Sequence, residues 1–187
     1  MSDDIKVGWA TVIGLALLAL SMFFSAIVHA DAPTLVDRLV TAQIPLASRK
    51  EPSVDARELA EAIDSAAKGD RGWAALLLTT AASESALSAR IARGDCLKHE
   101  CDGGRAWSLY QIHANQQNGS AWGSPDLRVQ TNEALRMLKQ AGNRCRNFRE
   151  VPRATCIVRA YAGRDPRMAI RGEEKRLAIF NRVLRKL

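Results

Sequence analysis

Residues 7–28, VGWATVIGLALLALSMFFSAIV, contain no charged side chain. A helix needs about 20 apolar residues to cross a bilayer, so this run is long enough to do so. A buried helix of a water-soluble domain rarely goes so far without a polar face, which disfavours that reading. The run leads into His29 and Ala30, with small residues where a signal-peptide cleavage site wants them. Two readings therefore stay open for residues 1–30: a removed signal peptide, or a retained anchor that crosses the inner membrane. The length of the run, and Asp3 and Asp4 against the lone Lys6, lean toward the anchor. Either way the rest of the chain is expected to be exported, as a periplasmic, membrane-anchored or secreted protein.

The four cysteines, Cys96, Cys101, Cys145 and Cys156, all follow the apolar run. An even number beyond an export signal suggests disulfides. Three connectivities exist, and the local pairs Cys96–Cys101 and Cys145–Cys156 are the simplest because each pins a short loop. A metal site of Cys96, His99 and Cys101 lacks a fourth ligand and the usual C-x-x-C spacing, so neither a metal nor another cofactor is expected.

A charged fraction of 25% and a hydrophobic fraction of 47% exclude a disordered chain. The net charge of +7 suits an exported protein to anionic wall polymers or headgroups. DNA would also suit that charge. The Arg and Lys of residues 128–187 are spread along expected helices as a solvated face, however, so no nucleic acid is expected.

No strand-period stretch stands out, and the class expected is mostly α. Residues 31–52 divide into a short helix from Pro33 to Ile44 and a linker, PLASRKEP, bounded by prolines. The main domain is expected over residues 53–187. Ser53 reads as an N-cap for a helix to about Lys68, ended by Gly69. A longer helix is expected from Arg71 to Arg93, stopping at Gly94. Residues 95–105 read as a small cysteine-bracketed hairpin, with helix resuming near Trp107. Ser124-Pro125 and Asp165-Pro166 read as helix starts, for segments 125–141 and 166–186, with another helix at about 151–162.

Within the expected Arg71–Arg93 helix, Trp73, Leu77, Ala81, Ser88 and Ile91 fall within about 40° of one direction at helical period. Glu84 falls among them, while Arg90 and Arg93 lie opposite. A carboxylate on an apolar stripe is costly to ionise. It either finds a buried partner, such as one of the many arginines, or keeps its proton, as a general acid must near neutral pH. Periodicity alone leaves these two outcomes level.

Three short motifs surround this candidate: Glu84-Ser85-Ala86-Leu87, then Ala106-Trp107-Ser108-Leu109-Tyr110-Gln111-Ile112, then Ala160-Tyr161-Ala162-Gly163. In order, spacing and helical placement they resemble the lysozyme-like soluble lytic transglycosylase (SLT-type) family over residues 73–165. The family pattern is a Glu-Ser pair on a helix, a Gly-Leu-Met-Gln-Ile-like turn and an Ala-Tyr-Asn-x-Gly-like helix. The resemblance implies a lysozyme-like (SLT/goose-type) globular domain with a small disulfide-bracketed hairpin, preceded by the N-terminal hydrophobic helix.

By position, the resemblance makes Glu84 the catalytic acid and Ser85 a hydroxyl that contacts substrate or orients the acid. Ser108, Tyr110 and Gln111 become the cleft-lining turn, and Tyr161 the tyrosine that hydrogen-bonds the catalytic carboxylate. Plainer roles stand beside these: Ser85 back-bonding to its helix, Gln111 as a surface amide, Tyr161 as core. The chain departs from the pattern at Ser108, where the family has Gly, at Tyr110, where it has Met, and at Ala162, where it commonly has Asn. An inserted LKHE also lies between the first pair of cysteines.

The activity implied is lytic transglycosylation of peptidoglycan glycan strands at the MurNAc–GlcNAc β-1,4 bond, giving 1,6-anhydromuramoyl ends. One carboxylate suffices, because the substrate supplies the nucleophile. A hydrolytic lysozyme (muramidase) normally needs a second carboxylate, and Asp95, Glu100 and Asp102 are the candidates. A non-catalytic wall-binding protein of the same fold is the alternative from a different class, favoured by the loss of Asn at position 162. Wall remodelling, passage of envelope-spanning secretion or conjugation machinery, and phage entry or lysis are all roles the sequence leaves open.

Overall fold

The N-cap signals of this chain are acidic side chains placed just before apolar runs, and in the computed structural model they start three of its helices. The structure describes residues 32–96, 101–113, 123–148 and 151–187. The apolar run 7–28 lies outside the described residues, as do His99 and Glu100. Among the described residues, no helix is long and apolar enough to cross a membrane.

The unit described is Thr34–Leu187, and it is mostly helical. Helix α1 spans Leu35–Gln43 and is entered through a capping box between Thr34 and Asp37. Helix α2 spans Ala56–Ala67 and buries Leu59, Ala60, Ile63, Ala66 and Ala67, an i, i+1, i+4, i+7, i+8 stripe. Its cap is Asp55, which accepts from the Glu58 amide at 2.8 Å. Ser53, expected in that role, instead forms a β-bridge with Ser88. The helix ends on Lys68 in left-handed conformation, with Gly69 following at positive φ.

Helix α3, Arg71–Ser85, is the centre of the fold. Asp70 caps it through the Trp73 amide at 3.0 Å, and Ala74 through Ala81 are all buried. It packs against α1, α2, α5 (Leu127–Arg144) and α7 (Glu173–Lys186). Its passage across α5 is close, since a Cβ on Gly142 would lie 3.3 Å from the Trp73 ring.

The expected single helix from Arg71 to Arg93 is broken. Ala86 and Leu87 are both left-handed, at φ 51° and 61°, and a short α4, Ala89–Ala92, restarts behind a Ser88 cap. Each such residue costs roughly 1–2 kcal/mol. The residues before α2 offset that cost by bonding across the break. Ser48 N donates to Ala86 O at 3.2 Å, Val54 N to Leu87 O at 3.0 Å and Ala89 N to Pro52 O at 2.9 Å. Leu87 is also buried. The segment read as a linker thus belongs to the same unit and closes the end of α3.

The ladder lies later than expected. Strands β1, Ala106–Trp107, and β2, Ile112–His113, pair antiparallel with Ala106 opposite His113, where helix was expected to resume. Before β1, Cys101 follows its disulfide partner Cys96 at a Cα separation of 5.9 Å. Helix α5 starts at Leu127 behind an Asp126 cap, two residues later than Ser124-Pro125 suggested. Helix α6, Arg153–Tyr161, matches its expected range closely and is tied to the end of α5 by the second disulfide, Cys145–Cys156.

No helix starts at Asp165-Pro166. The Asp165 carboxylate takes the Arg167 backbone amide at 2.9 Å and its guanidinium at 2.7 Å, which closes a local turn. Arg159 of α6 then holds both Glu173 oxygens, at 2.6 and 2.7 Å, and so fixes the start of α7 eight residues beyond Asp165.

Candidate active site

Glu84 is the penultimate residue of α3, so its surroundings are set by where that helix ends. The helix is buried nearly all round, and the stripe expected to run through Ser88 and Ile91 does not exist, because both residues lie beyond the break. Glu84 instead emerges at the rim of the core. Its side chain is 19% exposed and is paired with Arg176 of α7, whose side chain is 22% exposed. A carboxylate at a helix C-terminus opposes the macrodipole by roughly 0.3–1 kcal/mol. Burial of Leu77 and Leu78 contributes roughly 1.5–3 kcal/mol each, so the helix tolerates that charge. Of the two outcomes that periodicity left level, the structure has the paired one.

The pair sits in a groove of about 480 Å³ whose lining includes Ser83, Glu84, Ser85, Arg171, Lys175 and Arg176. Among the described residues, Glu84 is the one acidic side chain in that lining. A second lobe of about 320 Å³ shares Arg171 and Arg176 with it and continues to Ala162, Arg164 and Met168. A narrower crevice beside Arg176 is lined by Thr79, Ser83 and Tyr161. The hydroxyls of Thr79 and Ser83, one turn apart on α3, are buried with no hydrogen-bond partner among the described residues.

Tyr161, at the end of α6, lies within reach of Glu84's field. Burial first, and then the negative charge of Glu84, push its phenol well above the ordinary tyrosine range. Its hydroxyl does not bond the carboxylate as the resemblance implied; it donates to the Tyr110 carbonyl at 2.9 Å. That bond joins the third motif to the second.

The second motif is a tight turn between β1 and β2. Ser108 (φ 75°) and Gln111 (φ 50°) are both left-handed. Left-handed backbone favours glycine, which is the residue the resembling family has at the position of Ser108. Ser108 itself is fully buried, and its Oγ accepts from Tyr110 N at 3.1 Å. Tyr110 is a core residue rather than a cleft residue: it is fully buried, its hydroxyl is 3.0 Å from Thr131 Oγ1, and burial raises its phenol above the ordinary range. Gln111 bonds inward, donating to Ser108 O at 3.3 Å and to Cys101 Sγ at 3.5 Å. Ser85 lines the groove, but its hydroxyl back-bonds to Ala81 O at 2.8 Å.

The candidate second carboxylates do not join Glu84 among the described residues. Asp95 pairs with Arg93 at 3.5 Å on the surface and is absent from the groove lining. Glu100 and the side chain of Asp102 lie outside what is described. Both Cys96 and Cys101 are spent in a disulfide, which removes the thiolates a metal site would need. No cluster able to hold a metal occurs among the described residues.

Arg176, Lys175 and Arg171 are groove residues that the sequence reading passed over as part of a solvated basic face. Gln130 was also missed. It is fully buried and accepts from Leu109 N at 3.1 Å while donating to Ala92 O at 2.7 Å, so it fixes the second motif against α4. A buried glutamine inside a polar-looking helix gives no signal in a single sequence. Another hollow, of about 430 Å³, lies away from these motifs between the start of α3 and α6, lined by Trp73, Leu76, Ile157 and Phe180.

No protein-family model matches the chain, and neither does any curated protein or solved structure.

Proposed function

We propose that this protein is a lysozyme-like, exported enzyme that cleaves the glycan strands of peptidoglycan, with Glu84 as its general acid/base. The observation that carries the proposal is the placement of Glu84. Among the described residues it is the one carboxylate lining an open groove, at the end of a helix whose buried length holds it in place. The motif order supports the same reading, since Tyr161 bonds the Tyr110 carbonyl and senses the Glu84 charge.

Among the described residues the groove holds a single carboxylate, which favours transglycosylation over hydrolysis. Glu84 protonates the glycosidic oxygen between N-acetylmuramic acid and N-acetylglucosamine, and the C1–O bond breaks. The resulting carboxylate takes the proton from the muramoyl C6 hydroxyl, whose oxygen bonds to C1. The products are a 1,6-anhydromuramoyl end and a free N-acetylglucosamine hydroxyl, with no water consumed and the Glu84 proton restored. Hydrolysis would need a second carboxylate to activate water, and Asp95 does not line this groove. In this scheme Arg176 must yield Glu84 before the acid can act.

The Glu84–Arg176 pair also favours a second reading, a wall-binding protein without catalysis, because the pair satisfies both charges. Digestion of purified peptidoglycan by wild type and Glu84→Gln, with the muropeptides weighed by mass spectrometry, separates the readings. Anhydro ends lost in Glu84→Gln are the expected result. Reducing ends would mark a hydrolase, and no release by wild type would overturn the enzymatic proposal.

A further inference from the structure

The groove around Glu84 is more cationic than cleavage of a neutral glycan requires. Arg171 and Lys175 are exposed on its wall, and none of the carboxylates among the described residues pairs with either. Arg164 stands exposed in the adjoining lobe, again without such a partner. Together with Arg176 this places four cations on two adjoining hollows that share Arg171 and Arg176, with Glu84 the one carboxylate lining them among the described residues. A solvated basic face distributes its charges over convex surface. These instead converge on two concave lobes that share Arg171 and Arg176. The lobe beyond Arg176 begins at Ala162, the position where the resembling family carries an amide for an N-acetyl group. Here a methyl group replaces that amide, and guanidinium groups stand beside it.

We infer that the two-lobed groove beside Glu84 is a binding site for a carboxylate carried by the glycan, held by Arg164, Arg171 and Lys175. The inference rests on the glycan-cleaving reading and narrows its substrate class. Guanidinium groups bind carboxylates with paired, charge-assisted hydrogen bonds, which an uncharged acetamide cannot reproduce. Two sources supply such a carboxylate on a wall glycan: the lactyl group of muramic acid freed of its peptide, and the stem peptide itself. Their chemistry at the groove is the same. A bound carboxylate also gives Arg176 an alternative anionic partner at the lobe it shares, which is what releasing Glu84 requires.

The test measures binding by the full-length Glu84→Gln chain in detergent, so that cleavage does not consume the ligand. Three labelled oligosaccharides of equal length serve as probes: peptide-bearing wall glycan, amidase-stripped wall glycan with free lactyl carboxylates, and an uncharged N-acetylglucosamine oligomer. At least one carboxylate-bearing probe is expected to bind about tenfold tighter than the uncharged oligomer, equivalent to one well-made charged contact. Tight binding of the stripped glycan identifies the lactyl group, and tight binding of the peptide-bearing glycan alone identifies the stem. Adding Arg171→Gln and Lys175→Gln to that chain should reduce the preference to within about twofold, as should raised salt. Both side chains are exposed, so an unchanged melting temperature is expected of that variant. Equal binding of all three probes, or a preference that survives both substitutions and salt, overturns the inference. Because binding is read on a chain without the acid, absence of turnover in the wild type would sink the catalytic proposal while leaving this result standing.

Discussion

Arg176 of α7 holds the Glu84 carboxylate of α3 across 92 positions of sequence, and that one ion pair locks the C-terminal helix to the end of the central one. Both side chains are about four-fifths buried, between the limits where ion pairs contribute nothing measurable and where breaking one costs several kcal/mol. Arg176→Gln should therefore destabilise the fold by about 1–3 kcal/mol. Much of that loss should be recovered in the Glu84→Gln/Arg176→Gln double variant, which leaves no lone charge. A double-mutant cycle by urea denaturation measures the coupling, and additive losses would show that the pair is not energetically real.

The second disulfide should matter to stability more than its surroundings suggest. Cys145 and Cys156 are buried and join the end of α5 to α6 across a separation of 11 residues. Closing a loop of that size removes about 3 kcal/mol of unfolded-state entropy on the chain-entropy account. Replacing both with alanine should lower the melting temperature by roughly 6–12 °C in a domain of this size. An unchanged transition in a thermal scan would refute the assignment of a structural role.

Ser108 gives a prediction whose sign depends on the substitution. Its φ of 75° favours glycine, whereas its buried Oγ accepts from the Tyr110 amide. Ser108→Gly relieves backbone strain while losing the bond, so the two nearly cancel, to within about 1 kcal/mol. Ser108→Ala keeps the strain and orphans the amide, and should cost about 1–2 kcal/mol. Chemical denaturation of the two variants checks the order, and an alanine variant as stable as the glycine one would contradict it.

Acid should loosen the start of α7. Arg159, more than any other group, holds the Glu173 carboxyl below the ordinary glutamate range. The folded value lies below the unfolded one, so the stabilisation is fully present above about pH 4.3 and is lost as pH falls through the lower folded value. Glu173→Gln should remove that part of the acid dependence and lower stability at neutral pH. Denaturation midpoints between pH 7 and pH 3 report it, and parallel curves for the two proteins would count against the pair.

What could be read in the sequence was local. The mostly helical class, the range of α6 and the two short-range disulfides all follow from signals a few residues apart. What was missed depends on distant partners. Ala86 and Leu87 are good helix formers, and nothing in their neighbourhood announces that Ser48 and Val54 will take their carbonyls. Asp165-Pro166 carries a genuine start signal, overridden because Arg167 captures Asp165 while Arg159 fixes Glu173. At the site, Glu84 could be singled out by its apolar neighbours, although the stripe used to find it is interrupted in the fold. Tyr110 was misplaced because an aromatic in a turn motif gives no clue whether it points into a cleft or toward Thr131. Arg176 could not be found at all, since any of the C-terminal cations could have met Glu84.

The paired left-handed residues at Ala86 and Leu87 make the heading of Glu84 sensitive to the length of α3 rather than to its composition. Between the Asp70 cap and that break, the number of residues sets the heading of the carboxylate. Each residue of an α-helix adds about 100° of rotation and 1.5 Å of rise. Substitutions along the groove wall leave that heading alone. Removing one residue anywhere in α3 would turn Glu84 by more than a quarter circle, away from Arg176 and into the side of the core. Lineages of this chain should therefore keep the number of residues between Asp70 and Ala86 constant, with insertions and deletions there purged.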